Sequence, residues 1–249
     1  MSRNRESEIL RYLSKKSPIT VEELVGLLQV SEATVRRDLV QLENQGLILK
    51  RRGEVSLPGL GVEPVFNQRL NQNAVPKQRI AQYAAGQIAE GEVIALDVGT
   101  TTAALAKELL KRKGMTIFTY SLQIASILSR SQHNVYVIGG GFRKQEMSMV
   151  GSLAIEMIKQ FHFDRFYLGL GGFSKEEGPT DYAIEEVEIK RALIERSKRV
   201  VALADGSKYG MTSLVKVCEY DDIDELVTNE PDGVSLADEL GLGDKVTLV

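Results

Sequence analysis

Ser31-Glu-Ala-Thr-Val-Arg-Arg-Asp-Leu-Val-Gln-Leu-Glu-Asn-Gln-Gly46 reads as one helix with two unlike faces. At 100° per residue, Val35, Leu39 and Leu42 share a stripe suited to a core. Ala33, Thr34, Arg37 and Gln41 fall opposite, with Arg36 on the flank. Ser31 is placed to cap the helix start, and Gly46 to stop it after about Gln45. The outer face therefore carries hydrogen-bonding groups near a helix N-terminus. That is where a recognition helix meets base edges, and arginine's fork matches guanine O6 and N7 or a phosphate.

The flanks agree with that reading. A helix over about 3–16 places Ile9, Leu10 and Leu13 on one side and ends before Pro18. Thr20-Val-Glu-Glu23 is a capping box, followed by Val21, Leu24, Val25 and Leu28 at helical spacing. Val30 and Ser31 make a tight turn into the third helix. After Gly46 the run Leu-Ile-Leu-Lys-Arg-Arg-Gly-Glu-Val-Ser-Leu turns at Gly53 and predicts a small β-hairpin. Its Lys50, Arg51 and Arg52 are placed to meet phosphates or a minor groove. Candidate DNA contacts are thus Ser31, Thr34, Arg36, Arg37 and Gln41 on the helix and Lys50, Arg51 and Arg52 on the hairpin. Any one amphipathic helix or arginine pair is commonplace; the ordered set is specific.

Charge supports the division. The 249-residue chain has a net charge of −3. Residues 1–56 hold ten Lys/Arg against eight Asp/Glu, a net of +2, and the remainder holds 21 against 26, a net of −5. DNA binding needs a local basic face, not a basic whole. No apolar run reaches the length of a membrane span, and the charged N-terminus is unlike a signal peptide, so the expected compartment is the cytoplasm. Cys218 is the single cysteine, and His133 and His162 lie apart, so neither a disulfide framework, a metal site nor a bound cofactor is expected.

Residues 57–76, with Pro58, Gly59, Gly61, Pro64 and Pro76, read as a linker containing a short helix near 66–71. From 77 to 249, strands and helices alternate, which predicts an α/β domain with a mainly parallel sheet. Candidate strands are 92–97, 115–121, 134–139, 164–169, 199–205 and 224–228. The expected architecture is therefore an N-terminal winged helix-turn-helix, a linker, and a larger α/β domain.

Ligands in such folds sit beyond the carboxyl ends of the strands. There the chain offers Asp97-Val-Gly-Thr-Thr-Thr102 running into a helix, a pattern suited to anions. Asp205-Gly-Ser-Lys208 follows another strand, and Gly139-Gly-Gly141 precedes Arg143. Lys190 lies on a helix around 184–197. Singly these are turns and solvated side chains; together they predict a phosphate pocket built from Asp97, Gly99, Thr100, Thr101, Thr102, Gly140, Gly141, Lys190, Asp205 and Lys208. Neither glycine cluster forms a convincing dinucleotide fingerprint.

The segment Ser31–Gly46 is similar to the helix-turn-helix signature of the DeoR family of bacterial regulators. Asp97-x-Gly-Thr-Thr, Gly139-Gly-Gly, Gly178-Pro-Thr180, Glu186-x-Glu-x-Lys-Arg191 and Ala204-Asp-x-Ser-Lys208 resemble that family's effector domain. The resemblance implies a repressor of sugar or polyol genes, relieved by a sugar phosphate; because one small winged domain covers little DNA, an oligomer is expected. Two departures are visible: Arg52-Gly53-Glu54-Val55 where many members read His-Gly-Gly-Ala, and Thr119-Tyr120 where Thr-Asn is common. The effector domain is also similar to ribose-5-phosphate isomerase, so a DNA-tethered isomerase is the rival reading. Isomerisation needs a positioned carboxylate. The isomerases' Asp-Gly-Ala-Asp-Glu stretch corresponds here to Leu168-Gly-Leu-Gly-Gly172, which has none. This favours a sensor without catalytic residues.

Overall fold

The computed structural model describes residues 2–44, 47–57, 59, 62–64, 66–231 and 234–249. The chain forms two compact units, residues 1–72 and 73–249. Gly46, read as the stop of the third helix, and Pro58 and Gly61 of the linker lie outside the described residues.

Unit 1 opens with helix α1 (Ser2–Lys15) and the short strand β1 (Ile19–Thr20). Helix α2 (Val21–Leu28) starts where the capping box says it should. The Thr20 hydroxyl accepts the Glu23 N–H at 3.1 Å, and the Glu23 carboxylate accepts the Thr20 N–H at 2.8 Å. Two otherwise orphaned donors are satisfied reciprocally. Gln29 then takes a left-handed conformation (φ 52°) that ends α2 and turns the chain. Helix α3 (Glu32–Asn44) begins with the Ser31 hydroxyl accepting the Thr34 N–H at 3.3 Å. Val35, Leu39 and Leu42 are fully buried with Ile9, Leu13, Leu24, Ile48 and Val55.

The hairpin is β2 (Leu49–Arg51) against β3 (Glu54–Ser56), with Lys50 opposite Val55 and Arg51 opposite Glu54. Arg52 and Gly53 form its two-residue loop, both with positive φ (48° and 86°), as the twist of a tight hairpin requires. Sequence periodicity missed β1, which is only two residues long. It pairs antiparallel with β3, Ile19 opposite Val55, and makes the wing a three-stranded sheet. A short helix α4 (Phe66–Leu70) completes the unit.

Unit 2 begins with α5 (Ala74–Gly86), three residues ahead of the expected boundary, with Pro76 tolerated in its first turn. Then come β4 (Val93–Leu96), α6 (Thr100–Leu109), β5 (Lys113–Thr119), α7 (Leu122–Leu128) and β6 (Gln132–Val137). A hairpin of β7 (Gly141–Arg143) and β8 (Ser148–Val150) leads to α8 (Ser152–Ile158) and β9 (Arg165–Gly169). Strands β10 (Gly172–Ser174) and β11 (Gly178–Asp181) precede α9 (Ile184–Glu195) and β12 (Val200–Leu203). The chain closes with β13 (Val215–Lys216), β14 (Glu225–Thr228), α10 (Leu236–Leu240) and β15 (Val246–Leu248).

The main sheet has seven strands in the order β15-β14-β12-β9-β4-β5-β6, every pair parallel. Its central strands are short apolar runs such as Val-Ile-Ala-Leu and Val-Val-Ala-Leu, buried along nearly their whole length. Such runs suit a sheet covered on both faces. Strand order reverses at β4. From there the chain builds outward to β5 and β6, then returns to β9 on the other side and proceeds to β12, β14 and β15. Folds of this class bind ligands beyond the carboxyl strand ends at such a reversal, here those of β4 and β9.

The capping box is open to a direct test. Thr20→Ala should destabilise unit 1 by about 1 kcal/mol. Urea unfolding followed by circular dichroism should show a lower midpoint for that unit with an unchanged slope.

Candidate functional site

The strand ends at the sheet reversal are tied together by one buried ammonium. Asp97 follows β4 and is fully buried. Its Oδ2 accepts the Gly169 N–H at 2.7 Å and the Lys190 Nζ at 2.5 Å, and its Oδ1 accepts the Tyr120 hydroxyl. Lys190, 1% exposed, also donates to Asp181 Oδ2 at 2.7 Å and to the Gly169 carbonyl at 2.9 Å. The three ammonium protons thus have three acceptors. Asp181 Oδ1 is held in turn by the Tyr182 N–H at 2.8 Å. Burial opposes the charge on Lys190, but Asp181 and Asp97 override it and hold the ammonium above the ordinary lysine range. Burial also pushes the Tyr120 hydroxyl well above its ordinary range, so it stays a donor to Asp97.

Glycines let these strand ends close on one another. A Cβ on Gly169 would stand 2.9 Å from the Val98 carbonyl oxygen. One on Gly171 would stand 2.8 Å from Asp181 Oδ1.

Above this cluster Gly99, with φ 130°, precedes the start of α6. Thr100, Thr101 and Thr102 form its first turn, and the Thr102 hydroxyl donates to the Gly99 carbonyl at 3.0 Å. The first N–H groups of a helix have no partners within it, and the macrodipole adds positive potential there. Across β9, the chain leaves β12 through Asp205 into a single turn, Gly206–Lys208. Asp205 Oδ1 accepts from Ser207 Oγ at 2.5 Å and from the Asn73 side-chain amide at 2.9 Å. Lys208 is half-buried in the same turn.

The structure places four of the candidate site residues apart from an open anion site. Lys190 is not available to an incoming anion, because Asp97, Asp181 and Gly169 use its donors. Asp97 is fully buried and spends both oxygens on Tyr120, Gly169 and Lys190. Gly140 serves packing: a Cβ there would stand 2.6 Å from the Val150 carbonyl oxygen. Gly141 opens β7 and is exposed. Arg143 on that strand reaches Glu186 at 3.0 Å, and Ser148 donates to the same carboxylate at 2.5 Å. The carboxylates of Asp97, Asp181 and Glu186 are therefore all committed to internal partners. Sequence reasoning did not find the partnership of Asp181 with Lys190. Tyr120 stood out only as a departure from the family pattern.

In unit 1 the structure separates the candidate DNA contacts by how firmly they are held. Arg37 is exposed and makes no ion pair or hydrogen bond among the described residues. Arg36 is exposed and paired with Glu32 at 2.6 Å, a solvent-screened contact that exchanges easily. Gln41 and Ser31 are exposed, Thr34 is half-buried, and the Ser31 and Thr34 hydroxyls lie 2.8 Å apart. Lys50 reaches Glu43 at 3.3 Å, while Arg51 and Arg52 project from the wing. Asp38, between the two faces, is 2% exposed and holds Arg5 of α1 through two bonds of 2.7 and 3.2 Å. It is an anchor for the helix and not part of the outer face.

No described helix is long and apolar enough to cross a membrane. Among the described residues, no group of three or more His, Cys, Asp and Glu side chains is placed to hold a metal ion.

Residues 5–58 match the DeoR-like helix-turn-helix domain, and residues 72–230 match the DeoR C terminal sensor domain. Over 223 residues the chain is 37% identical to the HTH-type transcriptional repressor GlcR of Bacillus subtilis, covering 89% of this chain and 86% of that protein. Over 233 residues it is 32% identical to the glycerol-3-phosphate regulon repressor of Escherichia coli, covering 93% of this chain and 92% of that one. Among solved structures, a ribose 5-phosphate isomerase from Methanocaldococcus jannaschii aligns with 55% of each chain at a TM-score of 0.42 and 15% identity.

The buried cluster yields a prediction with a definite sign. Lys190→Met leaves two carboxylates facing each other without a counter-charge and should cost about 3–5 kcal/mol. The carboxyls in the variant must then take up a proton that the unfolded chain does not hold at neutral pH. The defect should therefore shrink as pH falls toward the carboxylate range and grow as it rises. Denaturant midpoints of wild type and variant across that range provide the measurement.

Proposed function

The chain belongs to the DeoR family of DNA-binding transcription regulators, and from that premise we propose that it represses genes of sugar or polyol metabolism and leaves its operator when a phosphorylated sugar or polyol binds unit 2. It is a regulator and not an isomerase: its relatives along nearly their full length are transcription repressors. The committed state of Asp97, Asp181 and Glu186 supports the same conclusion, since acid/base catalysis needs a carboxylate that can reach the substrate.

The observation that carries the effector reading is the helix start Gly99–Thr102 at the sheet reversal. Its N–H groups and the hydroxyls of Thr100 and Thr101 offer donors to a phosphate, at the strand ends where α/β folds bind ligands. Lys208, on the far side of β9, supplies the cation. Relatives named for glycerol-3-phosphate regulation support the phosphorylated class of ligand. The DNA reading rests on the outer face of α3, with Arg37 as its unengaged cation, and on Arg51 and Arg52 in the wing. A single wing and helix cover little DNA, so the active form is an oligomer that links two half-sites.

These readings separate experimentally. Arg37→Ala should weaken operator binding by roughly 1–3 kcal/mol and relax base preference, whereas Arg51→Ala should weaken all sequences alike and flatten the salt slope. Normal operator binding by folded Arg37→Ala would remove α3 as the reading helix.

Thr101→Ala should keep DNA binding and lose the effector response. The check is a DNA titration with a panel of phosphorylated sugars and polyols at fixed ionic strength, because added salt alone weakens DNA binding. A full response in that variant would place the ligand elsewhere. Light scattering should show more than one chain per particle at micromolar concentration.

A further inference from the structure

The chain passes from unit 1 to unit 2 between Gln72 and Asn73. Asn73 precedes α5 in a left-handed conformation (φ 49°, ψ 37°), and its side chain makes no capping bond to that helix. Instead its amide nitrogen donates to Asp205 Oδ1 at 2.9 Å and to Ser207 Oγ at 2.8 Å. These partners lie 132 and 134 residues further along the chain. Asparagine tolerates the left-handed region better than other residues with a Cβ, so the backbone and the amide are served by one side chain.

Both acceptors belong to Asp205-Gly-Ser-Lys208, the turn that carries the candidate effector cation. The turn is firmly built. Asp205 is 1% exposed, and its Oδ1 also takes the Ser207 N–H at 3.2 Å and hydroxyl at 2.5 Å. The Gly206 N–H donates to Asn229 Oδ1 at 3.0 Å, and a Cβ on Gly206 would stand 2.4 Å from the Asn229 carbonyl oxygen. The turn therefore shifts as a unit or not at all. The first residue of unit 2 is fastened to that turn.

We propose that Asn73 is a positioning residue that relays occupancy of the strand-end site to the linker leading to the DNA-binding unit. The proposal rests on the reading in which a phosphorylated ligand binds at Gly99–Thr102 with Lys208. An anion that draws Lys208 toward α6 moves Ser207 and Asp205 with it, and the two bonds to Asn73 change with them. A ligand alters DNA affinity only if it favours one of two arrangements, and the relay supplies them as the docked amide of this structure and a released one. The carboxylates around Lys190 are locked beneath the strand ends, so the Asp205–Lys208 turn is where movement is available.

Asn73→Gly in the full-length protein is the test. Glycine accepts the left-handed backbone without steric cost, so the substitution deletes the amide and spares the turn into α5. Ser207→Ala, which removes one of the two acceptors, is the second variant. The operator is a duplex selected from random sequence with the wild-type protein. The probes are glycerol 3-phosphate and ribose 5-phosphate, with inorganic phosphate as the ionic-strength control. Occupancy is read by thermal shift and coupling by operator affinity.

Wild type should show a thermal shift and a change in operator affinity of about 5–150-fold with a probe. Asn73→Gly should show the same thermal shift, with its operator affinity changing by less than about twofold; Ser207→Ala should fall between. A full change of operator affinity in Asn73→Gly overturns the relay. So does loss of its thermal shift, which would make Asn73 part of the binding site, and so does a wild type that binds a probe without altering operator affinity. Neither response in wild type removes the strand-end reading, and the relay with it.

Discussion

The ammonium of Lys190 is the contact on which the geometry of unit 2 depends. A charge taken out of water is costly unless its partners are complete. Here Asp97, Asp181 and the Gly169 carbonyl complete them. Those acceptors come from the ends of β4, β11 and β9, and Tyr120 after β5 joins through Asp97. One side chain from α9 therefore fixes the ends of four strands. The paired carboxyl ends of β4 and β9, where strand order reverses, are locked together by this cluster. The helix start at Gly99 is thereby presented at a fixed height.

The same arrangement explains how an α/β scaffold of this kind serves as a sensor. A catalyst must leave a carboxylate free to approach the reacting carbon and exchange protons with it. In this chain the buried carboxylates near the crevice are spent on lysine, arginine, serine, tyrosine and backbone donors. The proposed anion site offers only the N–H groups and hydroxyls of the first turn of α6, whose threonines are themselves buried. Affinity and response are then the whole of the task, and the acidic balance of residues 57–249 does not conflict with DNA binding by the basic face of α3 and the wing.

Most of the fold was legible because its signals are local. The capping box at Thr20, the stripe of Val35, Leu39 and Leu42, and the apolar strands of the main sheet each lie within a window of a few residues. The elements that escaped are short or carry turn residues. Strand β1 has two residues, β11 reads Gly-Pro-Thr-Asp, and β15 is three residues at the end of the chain. The candidate site was legible only as a list. Composition marks Asp97, Lys190 and Asp205 as notable, but the Lys190–Asp97 bond spans 93 residues and the Asn73–Asp205 bond 132. No periodicity reports such distances. Lys190 was consequently read as a cation for the ligand, and only the fold shows its charge already answered.

Those long-range bonds also separate what can move from what cannot. The floor at Asp97, Asp181 and Lys190 is sealed, and releasing it would strand charge in a dry interior. The rim is different in kind. Lys208 sits at the partly open end of a single turn, and Asn73 reaches the same turn through an exposed backbone position. Ligand binding on a rigid floor with one adjustable rim directs any rearrangement to that rim. The chain runs from this turn through Asn73 toward unit 1, so in the proposed relay the first consequence of ligand binding falls on the segment joining the two units.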